Sequence, residues 1–228
     1  MDHQAFINSF SLFKSADGAT VKSILAQATF HDYPQGRALL MEDSWGNAVY
    51  LIVSGWVKIR RITADHTITI AVLGKGDFFG EMAILDKSPR STDVVALSKV
   101  QVISITAQKF TAALKQDNGL QYRMLQLMVK RIRTTNEKLE LESQPPAVKM
   151  VKFLVDMALT YGDRLTGTMA IPLLEYQDWS DLTKVAVANV GPIFSKLVEK
   201  QWITIDRDQH ILTIVNLKSM QSLLARSS

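Results

Sequence analysis

The fold of this chain is decided by one stretch, GDFFGEMAILDKSPRST, residues 76–92. In it Gly80 is followed at once by the acid Glu81, and the base Arg90 comes after a short apolar run and a proline. A loop that begins with glycine can offer backbone N–H groups to a phosphate, and arginine adds a forked donor for phosphate oxygens. A carboxylate cannot bind phosphate favourably, but it accepts hydrogen bonds from hydroxyl groups. The stretch suits a ligand with a phosphate on one side and a sugar hydroxyl on the other, as in a cyclic nucleotide, whereas spacing alone favours a Glu81–Arg90 ion pair beneath a turn.

The segments on either side of this stretch have the periodicity of short β-strands. Apolar residues alternate over 49–53, at 57 and 59, over 68–72 and over 100–105. Glycines interrupt these runs where turns need positive φ or a close backbone approach. Many short strands with frequent turns predict a sandwich, barrel or roll. Helical patterns at about 4–13 and 18–28 precede the strands, so the expected class is α+β.

Composition and histidine positions exclude several classes of protein. The 228 residues contain no cysteine, which excludes disulfides, iron–sulfur ligation and thiol catalysis. The four histidines are scattered, without the spacing of metal ligands or of a nucleophile and its base. No apolar run approaches membrane-spanning length, and no signal peptide is recognisable. We therefore predict a cytoplasmic protein that is not an enzyme, with no catalytic residues, metal site, cofactor or membrane partner.

A long helix is predicted over residues 118–143, where no Gly or Pro follows Gly119. Residues spaced 3-4-3-4 along it form a narrow coiled-coil seam, which predicts a homodimer. The alternative is a helix packed on its own domain, although such helices normally show a wider apolar stripe. Two prolines in SQPPA, residues 143–147, end the helix and mark a domain boundary. The predicted dimer seam consists of Leu125, Met128, Ile132, Thr135 and Leu139.

Residues 76–92 closely resemble the phosphate-binding cassette of cyclic nucleotide-binding domains, roughly F-G-E-L-A-L, a short gap, and then P-R-S/T/A-A. Upstream, YPQGRALLMEDS and VYLIVSGWVKI resemble the β-roll of the same domain. Downstream, RIRTTNEKL resembles the dimerisation helix of the CRP/FNR family, and the whole chain is similar to that family. The resemblance implies an α+β fold with a cyclic-nucleotide-binding-like β-roll domain at 1–116, a dimerisation helix at 117–143 and a winged helix-turn-helix domain at 144–228.

The resemblance also implies roles for the matching positions of the cassette, residues 76–92. Gly80 and the backbone after it, together with Arg90 and Ser91, would hold a cyclic phosphate, and Glu81 would accept the ribose 2′-hydroxyl. On the long helix two residues would touch the base, one of them from the partner subunit. The implied ligand-binding set is Gly80, Glu81, Met82, Arg90, Ser91, Thr135 and Asn136.

Two positions depart from the family pattern. Asn136 stands where the family usually has serine, and its amide both donates and accepts, which leaves the identity of the base open. Asp93 stands where the cassette normally has a small or hydroxyl residue. If its carboxylate faced the phosphate it would repel it, and cyclic AMP would bind more weakly.

A second class of ligand stays open, because some members of this family bind cyclic di-GMP. Arginine suits such a ligand, since it pairs with phosphates and stacks on or pairs with guanine. The alternative interpretation of each arginine named in the next sentence is a solvated surface charge. The candidate cyclic-dinucleotide contacts are Arg60 and Arg61 on a predicted strand, and Arg131 and Arg133 on the long helix.

The C-terminal part matches the winged helix-turn-helix scaffold but lacks the residues that read DNA in the family. The two arginine positions are occupied by Val187 and Pro192, and the acid position by Ala188. A proline inside a helix costs about 3 kcal/mol or more, so the sequence predicts a recognition helix that begins at Pro192. The degenerate DNA-recognition or partner face consists of Val187, Ala188, Asn189, Pro192 and Lys196.

Charge in this region also disfavours DNA. Residues 175–203 contain three lysines against four acids, and a phosphate backbone selects a basic surface. We therefore expect a second-messenger receptor that regulates transcription through a protein partner, for example another transcription regulator. The alternative is a CRP-like regulator that binds DNA directly.

Overall fold

A computed structural model describes residues 3–64, 66–162 and 169–226. The chain divides into two compact units, Met1–Thr135 and Asn136–Ser228. The division falls inside the long helix α5, Asn118–Glu140, rather than at the prolines, and the predicted domain boundaries stay predictions. No helix in the described ranges is long and apolar enough to cross a membrane.

In its described residues, the N-terminal unit contains two antiparallel four-stranded sheets that form a β-roll. One sheet has the strand order β1-β8-β3-β6 and the other β2-β7-β4-β5. The side chains of β3 and β8 point alternately to the two faces of their sheet. One set lies between the two sheets, and the other set faces the helices. The strands are β1 Thr29–Tyr33, β2 Ala38–Leu40, β3 Ala48–Ser54, β4 Val57–Ile62, β5 Thr67–Leu73, β6 Phe78–Phe79, β7 Asp93–Ala96 and β8 Val100–Thr106.

The helices of this unit share an apolar core with the first sheet. Phe6 packs against Phe10 and Phe13 with ring centroids 5.0 and 4.9 Å apart, and the same cluster contains Leu51 and Phe110. The helices are α1 His3–Ser9, α2 Gly18–Leu25, α3 Met82–Leu85, α4 Ala107–Gln116 and α5, with a short 3-10 helix at Ser11–Phe13. Both helical patterns predicted before the strands are therefore present.

A β-bulge between β4 and β5 changes the alternation expected from the sequence. Ile59 pairs with Ala71, but the next residue, Arg60, pairs with Thr69, so that Ile70 falls between the two pairs. Thr69 is buried, whereas Ile70 is 41% exposed. Because an extra residue moves the following side chains to the opposite face, residues 68, 70 and 72 do not share one buried face as the pattern predicted.

Helix α5 begins at a tightly packed point. The Asp117 carboxylate accepts hydrogen bonds from the backbone N–H groups of Leu120, at 2.9 Å, and Asp17, at 2.8 Å. A Cβ on Gly119 would lie 2.0 Å from the carbonyl oxygen of Ser15. Glycine is therefore required here by a close backbone approach, despite its low helix propensity.

The exposed apolar stripe on α5 is shifted from the predicted seam. Met128 packs against the core of the N-terminal unit, and Val129 is exposed in its place. The Thr135 hydroxyl donates to the Arg131 carbonyl at 3.0 Å, while Asn136 continues the spacing of the stripe. The exposed large apolar residues on the helix are Tyr122, Leu125, Val129, Ile132 and Leu139.

The C-terminal unit is a winged helix-turn-helix. Its described strands form an antiparallel sheet of order β10-β11-β9. The Trp179 ring packs edge-on against Phe153 and Phe194, with centroids 5.6 and 5.1 Å away. The elements are α6 Pro146–Tyr161, β9 Met169–Pro172, α7 Tyr176–Thr183, α8 Val187–Glu199, β10 Ile203–Asp206, β11 Ile211–Ile214 and α9 Leu217–Ala225. The predicted α+β class and its sequence of β-roll, long helix and winged domain are confirmed.

The recognition helix α8 does not begin at Pro192, so that prediction was wrong. The helix begins at Val187 and continues through Pro192, and it keeps the N-terminal turn that we expected it to lack. Burial of one face compensates for the hydrogen bond that a proline removes from a helix. The buried residues of this face are Val190, Ile193, Phe194 and Leu197.

Candidate ligand-binding site

Arg90 is a buried cation whose guanidinium faces carbonyl groups. The residue is 4% exposed, and its Nη1 and Nη2 donate to the carbonyls of Gly80 and Ala48, the latter at 2.8 Å. Its Nε is buried without a hydrogen-bond partner. Burial lowers the pKa of Arg90 from its ordinary value, while nearby Tyr50 and Glu81 act to raise it. Within the described residues no carboxylate lies within salt-bridge distance of this guanidinium.

Two glycines make room for the Arg90 side chain. Gly80 has a φ of +86°, and a Cβ there would lie 2.6 Å from Arg90 Nη1. A Cβ on Gly46 would lie 2.9 Å from Arg90 Cζ. Because both distances are shorter than real Cβ contacts, neither position can carry a side chain while the guanidinium keeps its place. Gly46 is outside the cassette, and the sequence pattern did not identify it.

Glu81 pairs with the long helix rather than with Arg90. Its side chain is 2% exposed, and its Oε1 accepts a hydrogen bond from Nη1 of Arg131. Nη2 of Arg131 donates to the Phe78 carbonyl at 2.8 Å, and its Cζ lies 4.4 Å from the centroid of the Phe78 ring. The Glu81–Arg90 ion pair favoured by spacing alone is therefore replaced by a Glu81–Arg131 pair between the cassette and α5.

Asp93 is neutralised by a neighbouring strand. The residue is 5% exposed and accepts from Arg60 Nε at 3.1 Å, Arg60 Nη2 at 3.0 Å and the backbone N–H of Glu42 at 2.8 Å. Arg61 Nε donates to the Ser91 carbonyl at 3.3 Å. The carboxylate that would repel a phosphate if it faced one thus has its charge balanced by Arg60.

The structure brings together only part of the predicted ligand-binding set. Gly80, Glu81 and Arg90 lie close together. Three of the four candidate arginines, Arg60, Arg61 and Arg131, contact residues in or beside the cassette. The remaining predicted residues, Met82, Ser91, Arg133, Thr135 and Asn136, are exposed. Thr135 lies one helical turn beyond Arg131.

In the C-terminal unit the predicted face of α8 is exposed at Val187, Ala188, Asn189, Pro192 and Lys196. A cluster of lysines near the start of the helix was not predicted. Lys149 Nζ donates to the Lys184 carbonyl at 3.4 Å. Desolvation and the charge of Lys184 lower the pKa of Lys138, and Asp156 opposes this shift. The charge balance counted over 175–203 could not include Lys138 and Lys149, which converge on this region only in the folded chain.

Residues 30–117 match the family model of the cyclic nucleotide-binding domain. The chain is 22% identical over 198 residues to the CRP-like cAMP-activated global transcriptional regulator of Mycobacterium tuberculosis, covering 86% of this chain and 88% of that protein. The name of that relative agrees with the prediction that this chain is not an enzyme.

Two solved structures share the fold. FixK2 from Bradyrhizobium japonicum has a TM-score of 0.72 at 19% identity, covering 86% of this chain and 96% of that chain. The c-di-GMP responsive global regulator CLP of Xanthomonas campestris has a TM-score of 0.64 at 17% identity, covering 87% and 99%. These similarities show that the chain shares the fold of these regulators, and that residues 30–117 resemble a cyclic nucleotide-binding domain.

Proposed function

We propose that the chain is a second-messenger receptor that binds a cyclic nucleotide in its β-roll unit and regulates transcription. The observation that carries this proposal is the buried guanidinium of Arg90, which lacks a carboxylate and whose Nε lacks any partner. A buried charge without a counter-ion is destabilising by several kcal/mol, on the order measured when one partner of a buried pair is removed. A cyclic phosphate held by Arg90, Ser91 and the backbone after Gly80 would supply the missing anion. The cAMP-activated relative supports this class of ligand.

Glu81 would accept the ribose 2′-hydroxyl while it keeps Arg131. An ionised carboxylate has about four lone-pair sites, so one ion pair leaves it able to accept a further hydrogen bond. Because Arg131 belongs to α5, a ligand at Glu81 would act on the helix that also carries Thr135 and Asn136. The ligand would favour one state of α5 only to the extent that its affinity differs between the states. The SQPPA segment would pass that change on to the winged domain.

A cyclic mononucleotide such as cyclic AMP fits the pairing of charges better than cyclic di-GMP does. Arg60 is already bonded to Asp93, and Arg61 to the Ser91 carbonyl. A second phosphate would have to draw Arg60 away from a buried carboxylate, which would then lose its counter-ion. The c-di-GMP responsive structural relative keeps the dinucleotide as the alternative ligand.

We also propose a homodimer formed through α5. The exposed stripe from Tyr122 to Leu139 is apolar and follows the 3-4 spacing that two helices need to pack side by side. Asn136 falls on this stripe. A single polar residue at such a position specifies register and oligomeric state in coiled coils.

Regulation would act through a protein partner, because the exposed face of α8 carries no arginine that could read a base edge. The second candidate function is direct DNA binding, and one observation favours it. Lys138, Lys149 and Lys184 lie close together near the start of α8, where lysines could contact phosphates. The predicted cytoplasmic location remains a prediction.

Calorimetry with cyclic AMP, cyclic GMP and cyclic di-GMP tests the receptor proposal. We expect Arg90→Ala to weaken nucleotide binding about 100-fold or more, because it removes charge-assisted hydrogen bonds in a buried site. Arg90→Lys, which keeps the charge but lacks the paired donors of a guanidinium, should lose less nucleotide affinity. Arg207→Ala, an exposed arginine of the C-terminal unit, serves as the matched control. Equal affinity in Arg90→Ala and wild type, or no binding of any of the three nucleotides, would refute the proposal.

A gel shift against a pool of genomic fragments, with nucleotide and at stated salt, separates the two modes of regulation. Retention in the low-nanomolar range that falls steeply with salt is the behaviour of a direct DNA-binding regulator. Binding that stays weak with and without nucleotide supports a protein partner. If Lys149→Ala and Lys184→Ala reduce the salt dependence of any retention, the lysine cluster contacts phosphate.

A further inference from the structure

The winged unit contains a groove of about 410 Å³ beside the recognition helix, which we call the α8 groove. Its floor is apolar and includes the buried residues Val151, Ile193 and Leu197. The prolines at the start of α6 form one wall, and α8 forms the other. The remaining lining residues are Ala147, Asn189, Pro192, Lys196, Lys200, Trp202 and Leu223.

The α8 groove has the dimensions of a peptide site. Its residues on α8 and at the C-cap of this helix recur at three- and four-residue spacing from Asn189 to Lys200, and so form one stripe along the helix. At 1.5 Å per residue this stripe is about 16 Å long, the length of about three helical turns. A segment that buries apolar side chains at i, i+3, i+4 and i+7 matches such a surface.

The charge of the groove selects between occupants. The charged side chains of its lining in the described chain are Lys196 and Lys200, and no acid lines it. Lys200 Nζ lies 5.0 Å from the centroid of the Trp202 ring. Both lysines stand on exposed positions of the rim, above a floor that a polar ligand such as a phosphate backbone could not satisfy.

We infer that the α8 groove binds an acidic amphipathic segment of a partner protein, with apolar side chains on the floor and carboxylates beside Lys196 and Lys200. This inference rests on the proposed regulation through a protein partner and names the kind of partner and its site. It places the main contact beside α8 rather than on Val187 and Ala188 at its N-terminal turn. The site belongs to the C-terminal unit, and it is separate from the proposed nucleotide site in the β-roll.

The test is a selection from a library of random 12-residue peptides displayed on phage, against the immobilised full-length protein. The double variant Lys196→Glu, Lys200→Glu is used for counter-selection, and Lys218→Glu is the matched control, since Lys218 is exposed on α9 outside the groove. The most enriched peptide is then labelled with fluorescein, and its affinity is measured by anisotropy together with a version whose acids are replaced by amides. Circular dichroism establishes that each variant is folded.

We expect enriched peptides to combine acids with apolar residues at helical spacing. Their affinity should fall at least tenfold in the double variant and in the amide version, and stay unchanged in Lys218→Glu. The inference is overturned if no peptide distinguishes wild type from the double variant, if basic or uncharged peptides are enriched, or if double-stranded DNA or a second copy of the chain displaces the peptide from the groove. Nucleotide affinity of the same variants is measured in parallel by calorimetry. If the wild-type protein binds nucleotide but the peptide test fails, only the inference about the α8 groove is rejected. If the wild-type protein binds no nucleotide, the receptor proposal is rejected.

Discussion

At the scale of single residues, the charges around the cassette are paired with side chains and carbonyls from other parts of the chain. Glu81 is bound by Arg131, fifty residues away, and Asp93 by Arg60 on a neighbouring strand. Arg90 alone of these three charged residues is held only by carbonyl groups. The two acids are thereby neutralised, and the net positive charge in this part of the roll is left on the residue proposed to hold the phosphate.

The Asp93–Arg60 pair makes a prediction about affinity. In Asp93→Asn the amide oxygen can still accept from the Glu42 N–H, but the negative charge is gone and Arg60 has no counter-ion. At about 10–15 Å from the phosphate and an effective dielectric constant of about 20, removal of one negative charge changes the binding free energy by roughly 1 kcal/mol. The nucleotide should therefore bind about fivefold more tightly. The measurement is calorimetry with the nucleotide that binds wild type.

Arg60→Ala gives the opposite change and is the control for this prediction. It leaves the Asp93 carboxylate buried without its cation, so nucleotide affinity should fall. Unchanged affinity in both variants would show that the pair does not act on the phosphate site. Stronger binding in Arg60→Ala would contradict the argument directly.

At the scale of elements, the start of α5 is held by several hydrogen bonds to one carboxylate, that of Asp117. Burial acts to raise the pKa of Asp117, but hydrogen bonds from Leu120, Asp17 and Thr20 outweigh it and hold the pKa below its ordinary value of 3.8. A carboxyl whose pKa is depressed by folding stabilises the folded state above the unfolded pKa. That contribution is lost as the pH falls through the folded pKa.

We therefore expect Asp117→Ala to lower the stability of the protein by about 2 kcal/mol at pH 7, because the cap and its charge-assisted hydrogen bonds are removed. The loss should shrink as the pH falls below about 4, where wild type loses the same contribution. Urea unfolding midpoints from pH 7 to pH 3 measure both effects. Asp208→Ala, at an exposed carboxylate of the β10–β11 turn, should be nearly neutral, and a loss in Asp117→Ala that does not depend on pH would contradict the electrostatic argument.

Sequence patterns predicted the elements well but not which face of an element is covered. On α5 the series 125-128-132-135 and 125-129-132-136 both alternate steps of three and four, and only the packing of Met128 on the core distinguishes them. The β4–β5 bulge likewise exchanges the faces of Thr69 and Ile70. In α8 the local cost of Pro192 was known, but the burial of Val190 and Phe194 that outweighs it depends on α7 and its neighbours.

The cassette could be predicted because its chemistry is contiguous in sequence, whereas its partners could not. Gly80, Glu81 and Arg90 are separated by ten residues or fewer, so the pattern itself indicates the ligand. Gly46 lies in the loop before β3, Arg60 on β4 and Arg131 on α5. The sequence offered Arg60 and Arg131 as contacts of a ligand, but nothing in their local sequence pairs them with Asp93 and Glu81 before the chain folds.

At the scale of the whole molecule, the proposed dimer joins two copies through a stripe that a single chain leaves exposed. Ile132, at its centre, is 60% exposed, so the fold of one chain does not depend on it. We expect Ile132→Glu to weaken self-association more than about 100-fold, because a carboxylate would be buried in the interface without a partner.

Light scattering after size exclusion measures this effect as a change from the mass of two chains to that of one. Lys130→Glu, an exposed residue of α5 beside the stripe, is the matched control and should remain dimeric. A wild-type protein that is monomeric at micromolar concentration, or an Ile132→Glu variant that stays dimeric, would contradict the proposed interface.

The two glycines beside Arg90 have a consequence for how this protein can vary. In a library of all single substitutions selected for response to the messenger, positions 46 and 80 should tolerate no more change than position 90, although neither carries a side chain. The anion site would then be recognisable from positions 46 and 80, which cannot carry a side chain, as clearly as from position 90, which must carry an arginine.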